Sequence, residues 1–358
     1  MSSQRNWNLA WFAAVAFVVI FGLGEFSGWV RSAWAGNGWW GIDLQLDLDA
    51  AARMARGAPI YAEPRFLYSP LFALLVRPLL DLSFDVASLG LAALKFALAG
   101  TAVLAFTRGW RPAQRAMAFA ALTCSLPFLH DLMLGNVNVL IAASIAFAML
   151  ARPRTWSGVP LGLALALFAK PLIFPVLLWL LVWRPRVFAT TVATALGGTV
   201  LGLAITGPDA YLQWISTLAF GVHMASPFAG NHGITALVPQ LWLPVAAIVG
   251  LSLLVVLVKR GPITGLTWAA TAGLLIAPYT GTYAALPVIV ALPLLGPLAP
   301  GVALAIVAVS PIATTHPLPF YAAAILIAAL RLREPEVTRV GRTDLDWGAA
   351  KGGARAGS

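Results

Sequence analysis

"GVPLGLALALFAKPLIFPVLLWLLVWRPRVFATTVATALGGTVLGLAIT", residues 158–206, decides the class of fold. Its only charges are Lys170, Arg184 and Arg186. The rest divides into apolar blocks at 157–170, 171–184 and 187–206. A bilayer core about 30 Å thick asks for roughly 20 apolar residues per helix, fewer where neighbours bury the ends. Similar blocks occur at 8–26, 86–107, 113–128, 136–151, 241–259, 263–277, 283–298, 301–315 and 317–331. The 358-residue chain is 60% hydrophobic and 10% charged, against about 25% charged in a soluble domain. These features predict an all-α polytopic membrane protein with about twelve spans. Several boundaries are soft: Pro171 alone separates two blocks, and a proline can kink a helix instead of ending it.

The first block carries one upstream charge, Arg5, and bulky Phe26, Trp29 and Val30 close it. It reads as a retained first helix, with a cleaved signal as the alternative. The single cysteine, Cys124, lies inside an apolar block and reads as a packing residue.

The cations test the topology. Arg108, Arg111 and Arg115 follow the second block, and Arg152 and Arg154 the fourth. Arg184 and Arg186 follow the sixth, Lys259 and Arg260 the eighth, and Arg331 and Arg333 the last. If all twelve blocks cross, every group falls on one side, as the positive-inside bias requires of a cytoplasmic N-terminus. The formal charge of +10 then reflects topology, and no nucleic-acid partner is expected.

The opposite, extracytoplasmic side receives segments 27–85, 130–138, Lys170–Pro171, 207–240, 278–283 and His316. Most acids, histidines and asparagines outside the tail are there. The stretch 69–82 is short and contains Arg77 and Pro78, so it reads as an interfacial or re-entrant helix. Residues 1–333 form one transmembrane domain in this reading, with external loops 27–85 and 207–240. Residues 334–358 read as a disordered cytoplasmic tail.

The first external loop holds "GWWGIDLQLDLDAAARMARGAPIY", residues 38–61. As a helix it puts Asp43 and Asp47 on one face and turns Asp49 elsewhere. Leu44, Leu48 and Ala51 make an apolar face. The expectation is an amphipathic helix near the membrane surface, its acids toward water or a cavity. Next come Tyr61, Arg65 and Tyr68, before the chain re-enters at Ser69-Pro70. An acid beside an apolar surface gains proton affinity and suits a general base. The tyrosines suit a sugar face, and equally an interfacial belt. Lys95 and Asp131 lie in or near the membrane, where charges face the bundle interior; they read as partners of one another. No metal cluster and no cofactor are expected. The absence of a Gly-rich phosphate loop argues against a nucleotide as direct donor.

Five motifs in order carry a resemblance: "DLQLDLDAAARMARGAPIY" leading to "YSP", "LGNVNVLIAASIAFAMLARPR", "GVPLGLALALFAKPLIFPVLLWLLVWRPR", "GNHGITALVPQL" and "LLIAPYTGTYAALPVIVALPLL". Together they resemble glycosyltransferase family 87, polyprenyl-phosphate-dependent mannosyltransferases of the GT-C superfamily. The chain departs from that pattern at Ser69, where the family has a proline, and at Gly281 and Tyr283, where many members have an aromatic residue and a histidine.

The resemblance implies a GT-C-type bundle in a bacterial plasma membrane, both termini cytoplasmic. It implies transfer of a hexose, mannose first, from a polyprenyl-phosphate donor to a lipid or glycan acceptor. Asp43 takes the place of the family's general base. Arg65, Lys170, His223 and His232 are the candidates for the donor phosphate. Asp47, Tyr61, Tyr68, Asn136, Asn138, Asn231, Tyr279 and Tyr283 are candidates for sugar or acceptor. Structural readings stand beside these. Lys170 can be a snorkelling helix-end lysine, His232 a helix cap, His223 an interfacial residue, and Asn136 and Asn138 caps for exposed backbone groups. The rival function is a transporter or flippase for a lipid-linked or small polar substrate. It predicts a polar site at mid-membrane between repeated halves, whereas here polarity gathers on one face.

Overall fold

Prolines open the helices of this chain. Pro70, Pro112, Pro185 and Pro262 each occupy a first turn, where the missing N–H costs nothing and the fixed φ already suits the helix. The computed structural model describes residues 2–32, 40–106, 111–149, 155–224, 233, 239–278, 281–286, 322–326 and 329. Among them all regular structure is helical. The helices are α1 (Ser2–Ser32), α2 (Ile42–Ala55), α3 (Pro70–Val76), α4 (Phe84–Phe106), α5 (Pro112–Thr123), α6 (Leu126–Leu134) and α7 (Asn138–Ala148). They continue with α8 (Val159–Phe168), α9 (Phe174–Trp183), α10 (Pro185–Thr206), α11 (Pro208–Met224), α12 (Trp242–Lys259) and α13 (Pro262–Ile276).

Four segments are long and apolar enough to cross a membrane: Phe12–Arg31, Phe84–Leu104, Pro185–Thr206 and Pro239–Lys259. A fifth arises if α5 and α6, bent by 54° at their junction, make one broken span. Thus the protein is a membrane protein, and the expected count of twelve is not reached among the described residues. Several predicted blocks are too short. Helices α8 and α9 have 10 residues each, and at about 1.5 Å per residue each rises roughly half the bilayer core. Most of the last three blocks and the whole 334–358 tail lie outside the described residues.

Two loop expectations change. Segment 126–134, assigned to an external connection and the preceding block's end, is the helix α6. The 207–240 connection begins with the 17-residue helix α11. The stretch 69–82 is helical, as expected, formed by the short α3 and a tighter helical turn at Arg77–Asp81.

Small residues bring α8 and α10 together. A Cβ on Gly158 would lie 2.4 Å from the Val187 carbonyl oxygen, and one on Gly162 would lie 2.5 Å from that of Thr191. The Thr191 hydroxyl donates to the Gly158 carbonyl across the contact (3.2 Å). Close backbone approach through small residues is how helices associate where lipid removes the hydrophobic drive. The loop before α3 is tied to this pair. The Ser69 N–H donates to the Leu167 carbonyl (2.9 Å), a bond that a proline at this position lacks the N–H to make. From α11, Trp214 Nε1–H reaches the Leu67 carbonyl (3.0 Å). Phe66, Tyr68, Phe72 and Phe168 pack edge to face or stacked beneath, with centroids 5.0–6.5 Å apart. Helix α2 packs against α3, which carries Phe72 of this cluster.

Candidate active site

Three breaks in helical structure meet beside α2. The first is the turn from α6 to α7. Gly135 caps α6 in the left-handed region, with φ 74°, which only glycine adopts without strain. A Cβ there would sit 2.7 Å from Leu44 Cβ, so glycine also lets the turn press against α2. The Gly41 N–H donates to the Met133 carbonyl (2.7 Å), seating the start of α2 on the same turn. The second break separates α8 from α9. Ala169 has φ 43°, Pro171 follows, and Lys170 projects from between them. The third is the tight turn at Thr282–Ala285.

Asn136 joins what these breaks deliver. Its Nδ2–H donates to Asp43 Oδ2. Its Oδ1 accepts from Lys170 Nζ (3.2 Å), from Asn138 Nδ2–H, from the Val137 N–H (2.7 Å), and at long range from the Tyr68 hydroxyl (3.5 Å). Lys170 Nζ also donates to Asn138 Oδ1 (3.2 Å). The ammonium stands 5.5 Å from the ring centroids of both Tyr68 and Tyr283, within range of cation–π attraction. A carboxylate and an ammonium are thus held on opposite ends of one side-chain amide.

The acids of α2 differ in exposure, and Asp43 is half-buried. Asp47 is 3% exposed, while Asp49 is exposed and accepts from Gln45 (3.1 Å). The expectation that the acid face turns to water or a cavity is therefore corrected in part. Asp47 turns inward, where Lys170 and Lys95 offset its charge. Burial pushes the Asp43 carboxyl above the usual aspartate range, against the Asn136 hydrogen bond and the charge of Lys170, which pull it down. Asp47 is pushed well above that range, by burial first and then by the charge of Asp43. One carboxylate beside a second, more easily protonated one is an arrangement suited to accepting a proton.

The other candidates fall as follows. Tyr61 is half-buried and donates to the Tyr68 carbonyl (2.8 Å), bracing the loop. Arg65 is exposed and chelates Glu63 (2.8 and 3.2 Å), whose carboxyl it holds below the usual range. Asn136 and Asn138 are buried at 4% and 1%. Asn231, His232 and Tyr279 lie outside the described residues, as does the side chain of His223. One residue escaped the sequence reading. His130, on α6, packs between Trp29 (5.6 Å) and Tyr283 (5.7 Å). It stands next to Asp131 in "HDLMLGNVN", but nothing in that string says which ring it meets.

The sequence model of glycosyltransferase family 87 matches residues 66–335 of the chain. No curated protein and no solved structure matches. The matched span begins after α2; the bond from Asn136 to Asp43, with that from the Gly41 N–H to the Met133 carbonyl, ties the acid-bearing helix to the matched part.

Proposed function

The chain belongs to glycosyltransferase family 87, and from that premise we propose that it transfers a hexose, mannose in the first instance, from a polyprenyl-phosphate donor to a glycolipid or glycan hydroxyl, with inversion. The observation that carries this reading is the Asp43–Asn136–Lys170 linkage. Inverting transfer needs one base on the acceptor and positive charge where the leaving phosphate develops its own. The linkage supplies both, one amide apart.

In the reaction the acceptor oxygen bonds to the anomeric carbon while its proton passes to Asp43. The bond from that carbon to the phosphate oxygen breaks, and the phosphate leaves with the electron pair, its charge met by Lys170. A phosphate monoester is a good leaving group, so no acid has to protonate it. A positioned base contributes about 10²- to 10⁴-fold, and one preorganised electrostatic partner about 10²- to 10³-fold. Asn138 helps hold the ammonium, and Tyr68 and Tyr283 wall the space above it. Asp47 keeps the neighbourhood acidic and offers a hydroxyl contact. His223, His232, Asn231 and Tyr279 stand as further candidates for the same substrates, whereas Tyr61 braces the loop and Arg65 is taken by Glu63.

The fold in this reading is a GT-C-type bundle in a bacterial plasma membrane, with cytoplasmic termini and an extracytoplasmic site. The broken helices around Lys170 and Gly135 fit it, since irregular backbone at membrane depth needs a protein-lined or watery cavity.

The test is transfer of radiolabelled mannose from polyprenyl-phosphate mannose by membranes containing the protein, with Asp43→Asn alongside. The expected result is transfer by the unmodified chain and a loss of about 10²- to 10⁴-fold in Asp43→Asn. Undiminished transfer in the variant removes Asp43 as the base. No transfer by either, with any polyprenyl-phosphate hexose, removes the donor assignment.

A further inference from the structure

Two buried charges take no part in that chemistry. Lys95 on α4 and Asp131 on α6 are each 0% exposed. Lys95 Nζ lies 2.8 Å from Asp131 Oδ1 as an ion contact, and its well-angled hydrogen bond goes to the Asp131 main-chain carbonyl (2.7 Å). A pair that only filled space would end there. This one continues into the α6–α7 turn. Asp131 Oδ2 accepts the Asn138 N–H (2.9 Å), and the Asp131 carbonyl accepts the Asn136 N–H (3.0 Å). Oδ2 and the carbonyl of Asp131, the latter shared with Lys95, thus hold the backbone of the two asparagines whose side chains grip Asp43 and Lys170.

We propose that Lys95 and Asp131 are positioning residues, whose ion pair sets the α6–α7 turn and so fixes the aim of Asn136 and Asn138 at the base and the cation. The inference rests on the roles given above to Asp43 and Lys170. Lys95 approaches from α4, outside the turn, and pins Asp131 from two directions. Asp131 is then unable to swing, and the turn it holds is unable to rotate. Because α2 sits on that turn through Gly41 and against Gly135, rotation would shift Asn136 relative to Asp43. A displacement of about 1 Å in a reacting group's support costs on the order of 10²-fold in rate.

The pair is removed as a unit, in Lys95→Met/Asp131→Leu. Deleting one partner alone strands a buried charge and destabilises the fold, whereas replacing both by apolar groups of similar volume is often neutral or stabilising. The double variant also leaves the net charge of the site unchanged. Full-length protein is assayed for transfer from polyprenyl-phosphate mannose, for its melting midpoint, and for amide exchange across residues 135–141.

Positioning predicts a midpoint close to the unmodified chain, with kcat lowered about 100-fold. The acid limb of the pH profile moves to higher pH, because Asp43 loses the bond that favours its charged form. Exchange quickens at the Asn138 amide, whose acceptor is gone, and not in α10. A folded double variant with unaltered kcat and pH profile overturns the proposal and leaves the pair as core packing. A second variant, Lys95→Arg, keeps the pair and restores at least a tenth of the rate if positioning holds; a loss as deep as that of the double variant counts against it. Should the unmodified chain transfer no sugar, the chemistry assigned to Asp43 falls, and exchange still decides the geometry. Unchanged exchange at Asn138 then refutes the clamp on its own.

Discussion

The α6–α7 turn and the helices α10 and α12 obey opposite rules. Helices α10 and α12 run 22 and 18 residues without a break. They turn Leu196, Val200, Leu251 and Val258 outward, each more than 60% exposed. The turn has a left-handed glycine and two buried asparagines, and a buried ion pair stands against it. Regular helix satisfies its own backbone and can face hydrocarbon; broken helix cannot, and survives only where protein groups replace the lost bonds. Here Asp131 supplies them. The cost of a broken backbone and the cost of a buried carboxylate offset one another, and the site lies where they meet.

After Asp43→Asn, the largest loss on the polar side of this contrast belongs to Lys170→Met. Transfer falls about 10²- to 10³-fold at equal folded protein, read by initial rates with saturating acceptor. Gly135→Ala comes next. The new Cβ meets Leu44, and φ near +74° strains any other residue. The expected destabilisation is about 1–3 kcal/mol, measured as a shift in thermal midpoint, with transfer down about tenfold as the turn withdraws from α2. Arg65→Gln breaks only an exposed pair with Glu63. Surface ion pairs contribute little, so rate and midpoint stay within about a factor of two and about 0.5 kcal/mol. Leu251→Ala on α12 gives the smallest effect, under about 0.5 kcal/mol with unchanged rate. A loss at Leu251 that rivals the one at Gly135 would erase the distinction between the two regions.

Much of this was legible in the chain. The apolar blocks located most helix cores to within a few residues: 86–107 is α4, 187–206 lies within α10, and 241–259 is α12. The amphipathic pattern of 42–55 gave α2, and the spacing of Asp43 and Asp47 gave their shared face. Lys95 and Asp131 were readable as partners because a lone charge is costly in a bundle. Other features were not readable. Block length does not say whether 10 residues cross or stop, because a break at Ala169–Pro171 depends on what α10 and α13 pack against it. Segment 126–134 is as apolar as a span and as polar at its end as a loop, and only the cap at Gly135 resolves it. The inward turn of Asp47 needed Lys170 and Lys95, which are 123 and 48 residues away in sequence. No local pattern reports a charge that far off. Arg65 looked available to a phosphate because Glu63, two residues before it, gives no periodic cue that it will take the guanidinium.

The central claim is that Asp43 and Lys170 form one electrostatic unit through Asn136. Burial raises the Asp43 pKa, and the positive charge of Lys170 lowers it. As pH falls, transfer is lost when Asp43 takes a proton, so the acid limb lies above the usual aspartate range. The direct measurement is the pH profile of transfer in the unmodified protein and in Lys170→Met. The account predicts an acid limb that moves to higher pH in the variant, because the carboxylate has lost a stabilising neighbour. A slower enzyme with its acid limb unmoved would contradict it.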